Sequence, residues 1–425
     1  MAREINIKQG VDWITILLYA TLLIIGWLNI YAAVYKPDEA MTLFSLDHRA
    51  GLQMLFICGA GIIIMLILFI DHNIYDTLAY IFYGVVIVIL IATIFLATDI
   101  KGSRSWLKIG TFSLQPAEFA KIVTALALSK YLSGQLVNIT QFSDAIKAIL
   151  IIIVPPIIVI LQNETGSALT FAALIIPLYR EGLPGIFPAL GITFIILFVL
   201  ALVFPKWWIV AGIAILCLAF FRFVLKKREQ NRNNILRIVA IFMLASGFIF
   251  GVDFLLNDVL KPHQQKRITV LVNPNIDPMG VGWNVNQSRI AISSGGFIGK
   301  GYLQGTQTKF DYVPEQETDF IFCTVGEEWG FVGSVIVIVL FLVLITRLIN
   351  LAEKQGRNTF ARIYGYCVAG YLFFHLMINI GMTIGLMPVI GIPLPLISYG
   401  GSSLWSFTIL LFIFIKLDAH RSFKV

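Results

Sequence analysis

The chain has 425 residues, of which 58% are hydrophobic and only 13% charged, against about 25% charged residues in a soluble globular domain. Together with a mean hydropathy of +0.87, this excludes a water-soluble enzyme and equally a disordered chain, since low hydrophobicity is what keeps a chain unfolded. The formal charge of +7 reads as basic loops kept on the cytoplasmic side of a membrane, and no nucleic-acid partner is expected. Cys58, Cys217, Cys323 and Cys367 lie in apolar stretches without CxxC spacing, and His48, His72, His263, His375 and His420 form no HExxH. Neither a zinc site nor a histidine-based triad is indicated.

Apolar runs near 13–34, 52–70, 77–97, 116–133, 145–162, 167–179, 185–204, 207–224, 235–256, 320–346, 362–385 and 399–417 predict about twelve spans. The fourth and sixth are short of the ~20 residues a crossing requires. The first run is too long for a signal-peptide core and is expected to be a retained span. The predicted fold class is all-α: a polytopic integral-membrane helical bundle, with residues 1–425 as a single integral-membrane domain. Basic groups at Lys226–Arg232, at Arg347–Arg362 and at both ends fall on one side if the count is even, which places both termini in the cytoplasm. Two loops then face outward. One, residues 98–115, carries Lys101, Arg104 and Lys108 against the positive-inside preference. The other, 257–318, is far longer than ordinary connections and contains Trp283, Phe297 and Tyr302, so it is expected to be a folded extracellular loop.

Four segments concentrate the polar residues. In QPAEFAK at 115–121, Pro116 suits a first helical turn and puts Glu118 and Lys121 on neighbouring positions of one face; a structural ion pair and a functional pair are both open. The outward Lys101 and Arg104 favour an anionic lipid head group such as a pyrophosphate. At Gln162–Ser167 a polar break contains Glu164, for which a solvated turn is the plainer reading. From Trp283 a polar stretch passes Arg289 and Lys300 to Asp319, where the next apolar run begins. A nucleotide-binding loop is excluded, because GxxxxGK[ST] is not matched. Asp319 falls at the outer membrane face, where a helix cap is the alternative to chemistry. Glu327 and Glu328 follow about 12–14 Å deeper along a straight helix and need a partner or a cavity. Lastly, Pro388, Pro393 and Pro395 with several glycines interrupt residues 379–404, so that backbone groups at membrane depth must be satisfied by protein or a water-lined cavity.

Together these segments resemble the SEDS family of bacterial cell-wall polymerases (shape, elongation, division and sporulation), and within it the RodA branch. The resemblance rests on GSRSW at 102–106, QPAEFAK at 115–121, QNETGS at 162–167, HQQKR at 263–267 and QSRIAISSGGFIGKG at 287–301. It continues in VPEQETDFIF at 313–322, GEEWGFVG at 326–333 and NIGMTIGLMPVIGIPLPLISYGGSS at 379–403. GTQT at 305–308 is similar to the elongation members. Departures are Asn163 and Glu164 where the family has Pro and Asp, Ala117 where Ser is usual, and Glu317 where His is frequent. The family's usual ten spans make 185–204 and 207–224 an extra pair.

The resemblance implies a peptidoglycan glycosyltransferase in the cytoplasmic (inner) membrane with an outward-facing active site, acting on lipid II during elongation and rod-shape maintenance. In it Asp319 is the catalytic carboxylate, and Glu118 and Lys121 are a pair beside the substrate cavity. Lys101, Arg104, Arg289 and Lys300 are expected to hold the pyrophosphate, a role that a divalent metal could share, although no sequence feature identifies a metal ligand and no cofactor is otherwise called for. Expected partners are membrane lipids, a class B penicillin-binding protein transpeptidase and the elongation machinery of the cell wall. A lipid II flippase or a non-catalytic scaffold are the alternatives, since buried charges and broken helices equally suit alternating access.

Overall fold

The computed structural model describes residues 10–36, 47–100, 103–110, 112–225, 231–259, 265, 269, 281–310, 312–356 and 358–421. They form a helical protein. Its helices are α1 (Trp13–Val34), α2 (Arg49–Phe69), α3 (His72–Thr77), α4 (Ala79–Leu96), α5 (Pro116–Leu132), α6 (Phe142–Leu161), α7 (Thr165–Thr170) and α8 (Ile175–Arg180). They continue as α9 (Ile186–Val203), α10 (Lys206–Ala219), α11 (Arg232–Phe254), α12 (Val281–Ser294), α13 (Ile321–Glu353), α14 (Thr359–Thr383) and α15 (Gly401–Ala419). Among the described residues ten helices are long and apolar enough to cross a membrane. The other two of the twelve apolar runs are α5, with 17 residues, and α7–α8, which a 3-10 turn at Phe171–Leu174 interrupts.

The chain packs as two compact units, one formed within residues 1–183 and 284–425 and the other within 184–283. In the first, α14 and α15 are the centre: 78% and 83% of their most apolar windows are buried, against 17% for α4 and 22% for α2 and α6. That contrast separates core helices from those whose apolar side chains face lipid, because in a bilayer the outer face of a bundle has no reason to be polar. Short Gly, Ala, Ser and Thr residues let α5 approach α14 and α15 closely; Ala117, Ala120, Thr124, Ala125 and Ala127 are all fully buried. In the second unit α9 and α10, the expected extra pair, are joined by a turn at Phe204–Pro205 and pack with α11. Lys206 pairs with Asp253 at 2.6 Å, and the rings of Phe194 and Phe248 lie 4.7 Å apart.

Between α4 and α5 the chain forms a small antiparallel sheet, β1 (Thr98–Ile100), β2 (Ser103–Ile109) and β3 (Phe112–Leu114), in the order β1-β2-β3, with Thr98 opposite Trp106 and Leu107 opposite Leu114. Hydropathy alone left this loop without structure.

The long helix α13 is two helices in one run. Gly330 has φ 67° and ψ −159°, a conformation confined in practice to glycine. The break receives the glycine-rich loop 295–301: Phe331 N donates to Gly296 O, Val332 N to Phe297 O, Lys300 N to Glu327 O and Gly301 N to Glu328 O, all at 3.0–3.1 Å. A β-carbon on Gly330 would collide with the backbone of Gly299. These glycines therefore serve backbone-to-backbone packing.

Candidate active site

The C-terminal broken segment, residues 384–400, is non-helical as its prolines and glycines predict, and several of its backbone groups are paired within the protein. Leu386 N and Met387 N donate to Gly381 O, and Leu394 N donates to Ser398 Oγ at 2.8 Å. Gly400 N donates to Gln53 Oε1 at 3.1 Å, which ties the segment to α2. The carbonyls of Ile392 and Pro393 accept from α14: Asn379 Nδ2 reaches Ile392 O at 2.8 Å, and His375 Nδ1 reaches Pro393 O at 3.1 Å.

Asp319 is held against this segment. Three successive carbonyls leading into it are pinned: Glu317 O accepts from Tyr399 N at 2.8 Å, Thr318 O from Ser398 Oγ at 2.6 Å, and Asp319 O from Asn379 Nδ2 at 2.8 Å. The side chain is half-buried, and its Oδ2 lies 3.3 Å from where a β-carbon on Gly391 would stand. Helix α13 begins at Ile321 with Phe320 in the N-cap position, one residue after Asp319.

Glu118 and Lys121 form a 2.8 Å ion pair on α5 with side chains 2% and 0% exposed. The pair belongs to a network. Ser406 Oγ donates to Glu118 Oε2 at 2.9 Å, Lys121 Nζ lies 3.0 Å from His375 Nε2, and the ammonium stands 4.8 Å from the Phe407 ring centre. With Lys121 as donor, His375 accepts at Nε2 and presents Nδ1–H to Pro393 O, which fixes a neutral ring in one tautomer. His375 and Asn379 are one helical turn apart on α14, so a single face of this helix connects the buried pair to the backbone of Asp319 through the adjacent carbonyls of residues 392 and 393.

Glu164 joins the same end of the unit. It accepts from Gln115 Nε2 and, at 2.7 Å, from Ser167 Oγ; burial pushes its carboxyl up from the ordinary range, with hydrogen bonds from Ser105 and Ser167 working against that rise. A β-carbon on Gly166 would meet Ile390 O at 2.6 Å, so this turn packs on the broken segment on the residue before Gly391.

The remaining basic candidates separate. Arg104 is exposed on β2, with its N–H bound to Gln162 O at 3.0 Å, which brings the sheet beside the Glu164 turn. Arg289 is exposed on α12, its Cδ 3.3 Å from a β-carbon placed on Gly385, while neighbouring Ser288 Oγ donates to Thr383 O at 2.9 Å. Lys101 lies outside the described residues. Lys300 is engaged elsewhere: its ammonium binds Glu327 Oε1 at 2.6 Å and Thr306 Oγ1 at 2.7 Å. Glu327 is fully buried and also accepts from the N–H groups of Thr306, Gln307 and Thr308 at 2.7, 2.9 and 3.0 Å, so the GTQT turn closes around a carboxylate. Among the described residues no three His, Cys, Asp or Glu side chains converge as a metal-ligand set.

Sequence reasoning missed His375, Asn379 and Ser406, and also Arg49, which pairs with Glu317 and lies 5.6 Å from the Tyr399 ring centre. A signal was present. His375, Asn379 and Thr383 recur at every fourth position of an otherwise apolar run, the spacing of one polar helical face inside a membrane.

Comparison with known proteins identifies the family. The FtsW/RodA/SpoVE family model, described as a cell cycle protein, matches residues 12–210 and 177–423. The chain belongs to this family. The two matches overlap at 177–210, at the entry to the second unit. Similar family members include the peptidoglycan glycosyltransferase RodA of Treponema pallidum (strain Nichols), 29% identical with 96% of this chain and 98% of that protein covered. Another is the peptidoglycan glycosyltransferase MrdB of Escherichia coli (strain K12), 31% identical over 85% of this chain and 83% of that protein. A solved structure of a peptidoglycan synthase complex that coordinates polymerization and crosslinking contains a chain of the same fold, with TM-score 0.67 and 24% identity, covering 97% of this chain and 98% of that one. The family member described here is thus an integral membrane protein of the RodA type.

Proposed function

We propose that the chain is a peptidoglycan glycosyltransferase that polymerises lipid II, with Asp319 as the general base. The observation that carries this reading is the pinning of residues 317–319 by Tyr399, Ser398 and Asn379, which holds a half-buried carboxylate at the head of a membrane helix through its backbone. In the reaction the acceptor sugar's 4-hydroxyl attacks the anomeric carbon of the donor, Asp319 takes the hydroxyl proton, and undecaprenyl pyrophosphate leaves with the electrons of the broken bond, giving inversion. Arg104, Lys101 and Arg289 supply positive charge for the departing pyrophosphate, whereas Lys300 acts by closing the GTQT turn on Glu327. The Glu118–Lys121 pair orients the 392–393 backbone through His375.

The basic ends of the helices support an orientation with both termini in the cytoplasm and Asp319 at the outer face of the cytoplasmic membrane. The likeness to a chain of a polymerization and crosslinking complex supports a class B penicillin-binding protein transpeptidase as partner, and the likeness to RodA and MrdB supports work in cell elongation. The test supplies purified protein and its transpeptidase partner with lipid II. Asp319→Asn should lose at least about a hundredfold in glycan synthesis, the lower range of general-base help. Strands of undiminished yield and length from this variant would overturn the assignment, and labelled lipid II that crosses sealed vesicles with unchanged mass would favour a flippase.

A further inference from the structure

At the end of α13 remote from Asp319, a groove of about 830 Å³ runs between α13 and Ile14 of α1. Its upper lining is apolar: Val339, Leu342 and Val343 are 48%, 44% and 45% exposed. Its lower end is polar, formed by Arg347, Asn350 and Lys354, which share a helical face at i, i+3 and i+7. The acidic groups here have their own partners: Asp418, whose charge also reaches Arg347 and Lys354, pairs with Arg421 at 3.2 Å and accepts from Gln355 at 2.6 Å. Asp12 takes Arg347 Nε and Nη2 at 2.7 and 2.5 Å, and Glu353 takes Arg180 Nε and Nη2 at 2.6 and 2.8 Å. Among the described residues this leaves Arg347 Nη1, the Asn350 amide and the Lys354 ammonium without acceptors.

A run of apolar side chains ending in three donors without a direct acceptor, one of them a cation outside any direct ion pair, is complementary to an amphiphile with one tail and an anionic head. We propose that this groove binds an anionic glycerophospholipid, its phosphate held by Lys354, Asn350 and Arg347 Nη1 and one acyl chain lying along Val343 and Val339. The site is separate from Asp319 and does not depend on the reaction proposed for it.

The test uses the full-length protein and native mass spectrometry with phosphatidylglycerol and phosphatidylcholine of identical acyl chains. Wild type should retain phosphatidylglycerol preferentially, and Lys354→Ala should weaken that lipid about fivefold, as expected for one cation near a membrane surface, with phosphatidylcholine unchanged. Val343→Trp, which fills the apolar part from a lipid-facing position, should lower retention of both lipids. Lys147→Ala is the control, since Lys147 is exposed, pairs with Asp144 and does not line the groove. Equal retention of the two lipids by wild type, an equal loss in Lys147→Ala and Lys354→Ala, or no effect of Val343→Trp would each overturn the proposal.

Discussion

The buried pair on α5 permits a prediction with a sign that distinguishes charge pairing from mere packing. Lys121→Met keeps roughly the shape of the side chain and removes its ammonium, leaving the Glu118 carboxylate, 2% exposed, with Ser406 Oγ at 2.9 Å as its remaining side-chain donor. Breaking a buried pair in this way costs about 3–5 kcal/mol, because the surviving charge stays desolvated. Glu118→Leu with Lys121→Met removes both charges. The residual loss is then that of His375 Nε2, short of its donor, about 1–3 kcal/mol, because Ser406 Oγ keeps Ser403 O as an acceptor at 3.1 Å. The double variant should therefore be more stable than Lys121→Met by about 1–2 kcal/mol, although it carries one substitution more. A double-mutant cycle read by tryptophan fluorescence during reversible unfolding in mixed micelles measures the difference. If Lys121→Met lies within about 1 kcal/mol of wild type, or if the double variant is the less stable, the pair is not a buried charge pair and its role as a strut fails.

Three further outcomes follow from other parts of the molecule. Gly330→Ala places a β-carbon at φ 67° against the Gly299 backbone and should cost at least about 2 kcal/mol, with faster amide exchange across 296–301; unchanged exchange there would show that the loop does not depend on the helix break. Glu327→Gln keeps the volume but offers one acceptor oxygen where the carboxylate serves three N–H groups and Lys300, so protection of residues 303–308 should drop while the rest of the chain is unaltered. The Asp12 carboxyl is held below the ordinary aspartate value of 3.8, mainly by its hydrogen bond from Arg347. Its pKa is lower in the folded state than in the unfolded one, so the stability it contributes is present above about pH 4 and is lost as pH falls through the folded value. Asp12→Asn should flatten that acid limb, and an unchanged slope from pH 5 to pH 2 would refute the linkage.

The sequence made the helices legible because a bilayer demands long apolar runs, and it made the broken segment legible because prolines and glycines interrupt one of them. What it hid was of three kinds. The break at Gly330 was invisible because GEEWGFVG carries no proline and its hydropathy continues smoothly into the rest of α13; only the backbone of residues 295–301, arriving from elsewhere, shows why a glycine stands there. The sheet at 98–114 was missed since its strands of three and seven residues are too short for alternation to show. The partner of Lys300 was hidden for a different reason: sequence shows that a cation is present but not which buried acid it pairs with, and Glu327 lies 27 residues away. Glu118 and Lys121 were legible as a pair from their spacing, whereas the third member, His375, is 254 residues further on.

A carboxylate intended to accept a proton is poorly served by hydrogen bonds that fix its own oxygens, because each donor stabilises the charged form and lowers its basicity. The backbone of Asp319 is located separately from those oxygens, through carbonyls 317, 318 and 319. Their donors come from the C-terminal end of the broken segment and from α14, so the position of Asp319 is set by the same element whose 392 and 393 carbonyls are held by Asn379 and His375. Asn379 is the shared member, binding Asp319 O and Ile392 O with one amide. The Glu118–Lys121 pair then acts on Asp319 only through His375 and this backbone. Under the proposed reaction the contribution of the pair is positional, which separates the duty of the two buried charges from that of the half-buried carboxylate beside the helix start.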